Sequence, residues 1–336
     1  MKNINNNIFL VLVFILIQLP VFSQQSKKEK LEVEVLHEAL HSILDVNTQV
    51  EVLVEGLRWT EGPLWVEAEK MLLFSEIPSN TVYKWTEQKG KELYLNPSGY
   101  TSNANPSTRE PGSNGLLLDK EGNLVLCQHG DRRIARMKGS LKTPIPIYKN
   151  VVDSYDNKRL NSPNDAVYNP DGDLFFTDPP YGLPTQSDND PSKEILFNGV
   201  FLFQKDGKLT LLTDKLSRPN GIALFPNSNK LLVSNSDVKN AAWYIIETES
   251  DTVRTSVFYD ATPLLDGSPG LPDGLKISKN NIVFASGPGG VWIFDSTAKL
   301  LGKIKFKMPV SNVALSDDEK YMYLTNTGRV IRIALK

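Results

Sequence analysis

The chain has 336 residues, a formal net charge of −2, and 40% hydrophobic but only 9% aromatic side chains. A balance so near neutrality argues against a nucleic-acid binder, which needs a basic footprint; the length allows about two domains or one large all-β domain. Cys127 is the only cysteine, which excludes a disulfide framework and a cysteine-borne lipid anchor at the N-terminus.

The first segment reads as a targeting signal. Lys2 precedes an apolar run from Ile8 to Leu19, followed by Val21-Phe22-Ser23, the charged, apolar and small-residue order of a secretory signal peptide over residues 1–23. The run is shorter than the roughly 20 residues that cross a bilayer. An exported, periplasmic protein without a stable membrane anchor is expected, in preference to an uncleaved anchor.

Residues 24–48 read as an N-terminal helical extension. Leu36, Leu40, Ile43 and Leu44 recur at helical spacing behind Lys27–Lys30, which predicts a single amphipathic helix. It contains His37-Glu38-Ala39-Leu40-His41, the H-E-x-x-H pattern of zinc proteases, with Glu61 downstream where a third ligand could stand. The context does not suit zinc: Glu61 lies between Thr60 and Gly62-Pro63, where no second helix can carry it, and the helix has no domain of its own. The expectation is a surface helix with two solvated histidines.

From residue 49 to residue 336 the pattern is β. Val50, Val52 and Val54 alternate with Glu51, Leu53 and Glu55, an edge-type strand. Units of one plan follow: a polar triplet, an apolar strand, a tight turn, a second strand and a third. The second unit has Gly115–Asp119, Leu124–Gln128 and Arg133–Met137, and the third has Asp165–Asn169 and Leu174–Thr177. Later units supply Leu231–Ser234, Ile282–Ala285, Val291–Phe294, Tyr321–Thr325 and Val330–Ala334.

The triplets are the organising feature. Glu61, Asn114, Asn164, Asn220, Asp273 and Asn312 each follow a small or turn-prone residue and lead into an apolar run. They recur at roughly fifty residues, with a shorter last interval, a period that points to a circular array. Six such units make a six-bladed β-propeller, and Val50–Val54 could complete the last blade and hide both edges. The long stretches 96–112 and 181–198 would then be loops over one face, where specificity is commonly set.

In a closed array the triplets converge on the axis. Glu61, Asp273, Asn164 and Asn220 offer oxygen alone, which suits a hard divalent cation, Ca²⁺ first and Mg²⁺ or Mn²⁺ next, better than zinc or copper. Without a cation the two carboxylates would repel and one would stay protonated. Recurrent turn formation by Asn, Asp and Gly accounts for one triplet easily, and for six in register poorly.

Seven motifs in order carry a family resemblance: Glu61-Gly62-Pro63 with Trp65, Ser113-Asn114-Gly115, Gln128-His129-Gly130-Asp131-Arg132-Arg133, Leu160–Asp165, Phe176–Gly182, Arg218–Gly221 and Pro272-Asp273-Gly274. With Gly287–Trp292 as an eighth, the chain from about Val52 to Ile333 resembles the SMP-30/gluconolactonase family, and its bacterial gluconolactonases most. The resemblance implies a six-bladed propeller, divalent-metal ligands at Glu61, Asn164, Asn220 and Asp273, and hydrolysis of a sugar-acid lactone. In the animal branch an arginine two positions before the third-blade asparagine helps hold the sugar. Ser162 stands there in this chain, so that preference does not carry over.

Ester hydrolysis needs an oxyanion stabiliser and a base for water. The cation would serve as Lewis acid and Asp273 as base, with Asp165 in reserve. No G-x-S-x-G elbow is present, which argues against an acyl-enzyme. His129 is a candidate to bind the sugar or shuttle a proton. Asn114 and Asn312 are candidates for sugar hydroxyls, and Tyr181 for the pocket wall. The rival readings are a hydrolase of other esters or organophosphates on the same scaffold and a non-catalytic sugar-binding propeller.

Overall fold

The computed structural model describes residues 27–249 and 252–336; the expected signal peptide, 1–23, lies outside the described residues. Six sheets of mutually antiparallel strands follow one another around an axis, each running outward from an innermost strand. The first blade is Thr60–Val66, Met71–Glu76, Thr81–Thr86 and Gly90–Leu95, and the second is Ser113–Leu118, Leu124–Gln128, Arg133–Met137 and Tyr148–Val152. The third is Ala166–Tyr168, Leu174–Asp178, Gly199–Phe203 and Leu209–Thr213; the fourth is Pro219–Leu224, Lys230–Asn235, Ala242–Glu249 and Thr252–Asp260. The fifth begins at Leu275–Ile277 and the sixth at Asn312–Leu315. Neighbouring innermost strands adjoin one another, and that of the sixth blade returns to that of the first.

The ring closes as alternation in the sequence requires. Gln49–Val54 pairs with Arg329–Ala334, placing Val330 against Val54 and Ile333 against Val50. The strand that leads into the propeller and the strand that ends it thus share one blade, and their hydrogen bonds close the ring.

Each blade interface holds an apolar cluster, because twisted sheets can cover their faces only against each other. Six clusters of buried side chains fill the six interfaces. The interface between fourth and fifth blades is the most aromatic, with Trp243 against Trp292 at 5.5 Å and against Phe294 at 5.3 Å.

The N-terminal extension departs from expectation. In place of an α-helix over its leucine stripe, Lys27–Lys30 joins the sixth blade as a fifth strand and Glu32–Val35 joins the fifth blade in the same way. Only Glu38–Ser42 is helical, as a short 3-10 turn. The alternation in Glu32-Val33-Glu34-Val35 suits a strand, and two open sheet edges supply hydrogen-bond partners that an isolated helix lacks, so pairing overrides local propensity. Leu40 and Leu44 are still fully buried beside Ile304 and Ile331, each contributing about 1.5–3 kcal/mol of burial.

The histidine motif loses its zinc geometry with the helix. At three residues per turn, positions four apart do not share a face. The His37 Nδ1 accepts a hydrogen bond from the Ala39 amide, and His41 is exposed. Among the described residues no group of three or more His, Cys, Asp or Glu side chains is placed to hold a metal.

Candidate active site

Two local devices aim four of the six triplet side chains, those of Glu61, Asn114, Asn220 and Asp273, at the axis. The first is a β-bulge: register slips between Glu61 and Leu64, Ser113 and Leu116, and Pro219 and Ile222. An extra residue at a strand end re-aims a side chain that would otherwise follow the pleat. The second is the glycine after the polar residue. A Cβ on Gly62 would stand 2.1 Å from the Asn114 carbonyl oxygen, and one on Gly221 2.3 Å from that of Asp273. Only glycine lets neighbouring blades approach this closely at the axis.

The result is a cavity of about 420 Å³ whose wall includes Glu61, Asn114, Asn164, Tyr181, Asn220 and Asp273. The structure therefore brings together all four candidate ligands, and with them Asn114 and Tyr181. Asn312 and Asp165 do not form the wall and are buried beside it. The Asn312 amide donates to Glu61 Oε2 at 3.2 Å, fixing that carboxylate. The Asp165 Oδ1 accepts from the Ala166 amide, while its Oδ2 has no partner among the described residues. His129 is fully buried and absent from the wall. Ser162, at the position occupied by arginine in the animal branch, is buried, donating to the Pro179 carbonyl and accepting from the Gly182 amide.

The wall is electrostatically strained. Burial pushes Glu61 up to about 8, against hydrogen bonds from Gly62 and Asn312 that favour its charged form. Burial and then the charge of Glu61 push Asp273 well above the usual carboxylate range. Asp273 Oδ1 and Asn114 Oδ1 are buried acceptors without partners. Orphaned buried oxygens are rare in proteins because each costs about 1–3 kcal/mol. Two repelling carboxylates and two carboxamides on one wall form a donor set that fits a hard divalent cation. Among the described residues no basic side chain lines this wall.

Two further tiers of residues, missed in the sequence reading, hold the site in place. A hydroxyl on the second strand of one blade binds the triplet carbonyl of the next: Ser75 to Asn114 at 2.9 Å, Thr177 to Asn220 at 2.6 Å and Ser234 to Asp273 at 2.6 Å. The following residue accepts from the loop entering its own innermost strand. Glu76 does so from the Arg58 amide, Asp178 from those of Asn161 and Ser162, and Asn235 from that of Arg218. The signal was a Ser/Thr-then-acid-or-amide pair ending the second strand of four blades, Ser75-Glu76, Thr177-Asp178, Ser234-Asn235 and Thr325-Asn326, legible once the triplets are aligned. The wall residues Trp59, Glu110, Gln186 and Ser236 carry no such repeat, because they come from connections outside the strands: Trp59 and Glu110 before the innermost strands of the first two blades, Gln186 and Ser236 between second and third strands.

Comparison with known proteins places this architecture. The SMP-30/gluconolactonase/LRE-like region model matches residues 59–328. A gluconolactonase of Zymomonas mobilis is 39% identical over 305 residues, covering 88% of this chain and 84% of its own. The solved structure of a gluconolactonase from Xanthomonas campestris superposes with a TM-score of 0.75 at 26% identity, over 90% of this chain and 95% of that one. The calcium-binding protein regucalcin of Agrobacterium tumefaciens shares the fold, with a TM-score of 0.65 at 16% identity over 85% of this chain and 94% of its own. The chain belongs to the SMP-30/gluconolactonase/LRE-like family.

Proposed function

We propose that the protein is a gluconolactonase-like lactone hydrolase, opening a sugar-acid lactone to its free acid with the help of a divalent cation. The observation that carries this reading is the wall itself: Glu61, Asn164, Asn220 and Asp273 around one cavity, with a partnerless buried oxygen on Asp273. Family membership and the gluconolactonase relatives support the lactone as substrate.

Glu61, Asn164, Asn220 and Asp273 would hold the cation, with Ca²⁺ the first choice and Mg²⁺ or Mn²⁺ next. Bound there, the cation supplies positive charge that polarises the lactone carbonyl and offsets the charge developing on its oxygen. Asp273 takes the proton of the attacking water, since its Oδ1 is free of other hydrogen bonds. Glu61 is pinned by Asn312 and by the amide of Gly62 and serves as a fixed ligand. Asp165 is buried off the wall, with Oδ1 held by the Ala166 amide, and does not meet the substrate. Asn114 Oδ1 accepts from a sugar hydroxyl, and Tyr181, whose hydroxyl donates to the Ser236 carbonyl at 3.2 Å, closes the side of the pocket. The apolar run Ile8–Leu19 supports export to the periplasm; a mature N-terminus after Ser23 would show the cleavage, and recovery of the protein in the periplasmic fraction would show the location.

The test is acid release from glucono-δ-lactone by protein stripped of metal and then given Ca²⁺, Mg²⁺ or Mn²⁺, beside Asp273→Asn and Glu61→Gln. The expected outcome is a rate lost on stripping, restored by a cation and abolished in both variants. A rate no higher than spontaneous opening with every cation would overturn the assignment. Weight would then move to another ester or to sugar binding without turnover.

A further inference from the structure

Glu110 stands out on the cavity wall because no motif pointed to it. It lies near the end of the 96–112 stretch, three residues before the second blade begins at Ser113, and its amide donates to the Thr108 hydroxyl at 3.2 Å. Thr108 in turn touches the Leu183 carbonyl of the 181–198 stretch, so the two loops meet beside this residue. The Glu110 side chain remains 23% exposed, toward the cavity.

Behind it stands His129, fully buried and with neither ring nitrogen hydrogen-bonded. Its Nδ1 lies 3.6 Å from Glu110 Oε2, just beyond hydrogen-bonding distance. A buried imidazole with no partner is costly, and here the carboxylate next to it is the group that can answer it. Gly182 packs closely against the base of the ring, since a Cβ there would come within 2.6 Å of His129 Cβ and 2.9 Å of its Cγ. His129 is thus a rigid backstop for one oxygen of Glu110, leaving the other for the cavity.

Charge adds a second property. The wall carries three carboxylates, Glu61, Asp273 and Glu110, with no lysine, arginine or histidine. A divalent cation balances two of them and leaves Glu110 uncompensated. A carboxylate accepts strongly from neighbouring sugar hydroxyls and repels any anion brought beside it. The product of lactone opening is an anion, and the substrate is neutral.

We propose that Glu110, positioned by His129, is the specificity-determining residue of this cavity. It selects neutral polyhydroxylated rings by accepting their hydroxyl hydrogens, and it disfavours anions, including the acid product. The proposal rests on the lactonase reading only for which acid is the product.

The test is calorimetric binding to Ca²⁺-loaded protein of two probes that are not turned over, glucono-δ-lactam as the neutral ring and gluconate as the anion. Glu110→Ala is expected to weaken the lactam by about tenfold or more, the loss of a hydrogen bond to a charged group. Glu110→Gln, which keeps the shape and an acceptor, is expected to tighten gluconate by about tenfold through lost repulsion. His129→Leu should weaken the lactam as Glu110→Ala does, and His129→Asn, with an amide donor near the Nδ1 position, should restore it. A general loss of packing would not be rescued in that way.

Lactam binding equal in wild type and Glu110→Ala, gluconate binding equal in wild type and Glu110→Gln, or no binding of either probe by wild type would each overturn the proposal. Should both Glu110 effects appear in a protein that does not hydrolyse glucono-δ-lactone, the lactonase reading falls and the role of Glu110 stands. Should hydrolysis occur without those effects, the reverse holds.

Discussion

The axis and the closure seam of this propeller are built on opposite principles. At the axis, Asp273 Oδ1 and Asn114 Oδ1 have no partner among the described residues, and burial pushes both Glu61 and Asp273 above the usual carboxylate range, Asp273 further through the charge of Glu61. At the seam, where the sixth blade closes, backbone groups are paired through a fifth strand, and Leu40 and Leu44 of the N-terminal strap (residues 27–44) are buried to zero exposure. Binding chemistry requires groups that the fold leaves unanswered, and that deficit destabilises. The seam and the six apolar interfaces supply the stability that lets the axis remain unsatisfied.

Asp273→Asn sharpens the contrast most. It should lower kcat about 10²- to 10⁴-fold, the span for loss of a general base, while raising the melting temperature of metal-stripped protein at neutral pH, because a carboxyl whose folded-state pKa is raised costs stability above its unfolded pKa. Calorimetric melting beside the lactone assay checks both signs, and a destabilised stripped variant would contradict the account of the axis.

At the seam the signs reverse. Leu40→Ala should cost about 2–5 kcal/mol of stability, because Leu40 lies fully buried against Gly302 and the fifth-blade cluster. Denaturant unfolding measures the loss, and kcat of the folded fraction should fall by less than about twofold. A large fall in kcat would show that the strap shapes the axis directly.

Between the two regions lie the hydroxyl ties. Thr177→Val removes the 2.6 Å bond to the Asn220 carbonyl and should cost about 0.5–1.5 kcal/mol. Because that carbonyl belongs to a candidate ligand, apparent affinity for Ca²⁺ should weaken as well, which a titration of stripped protein reads. Stability loss with unaltered cation affinity would make the tie purely architectural.

The smallest effect concerns the loop that frames the mouth. Burial alone would raise Asp190, but hydrogen bonds from Ser192 and Thr185 outweigh it and lower the group to about 2, below its ordinary 3.8. A depressed folded value means the contribution is complete above about pH 4 and is lost as pH falls toward 2. Asp190→Asn should therefore flatten the acid limb of the stability curve between those values. An unchanged acid limb would mean that these bonds are not maintained in solution.

Much of this was legible from residues alone. The triplet period gave the blade count, and Leu124–Gln128 and Arg133–Met137 were placed to the residue, because alternation and Asp/Asn/Gly turns are local signals. Val50–Val54 was recognised as the closing strand, since a propeller must pair its ends. The strap was misjudged because a leucine stripe at helical spacing is also compatible with a strand followed by a tight turn. Which of these forms depends on the exposed edges of the fifth and sixth blades, distant in sequence.

The amino-acid sequence by itself therefore determined the repeat, the all-β character and the identity of the oxygens delivered to the axis, for these follow from periodicity and residue chemistry. Only the tertiary structure decided that Asn114 and Tyr181 form the wall, that Asp165 and Asn312 do not, and that His129 stands behind Glu110. Those assignments depend on angstrom-scale approaches between blades, set by bulges, glycine contacts and loop packing. No local pattern encodes distances between residues fifty positions apart.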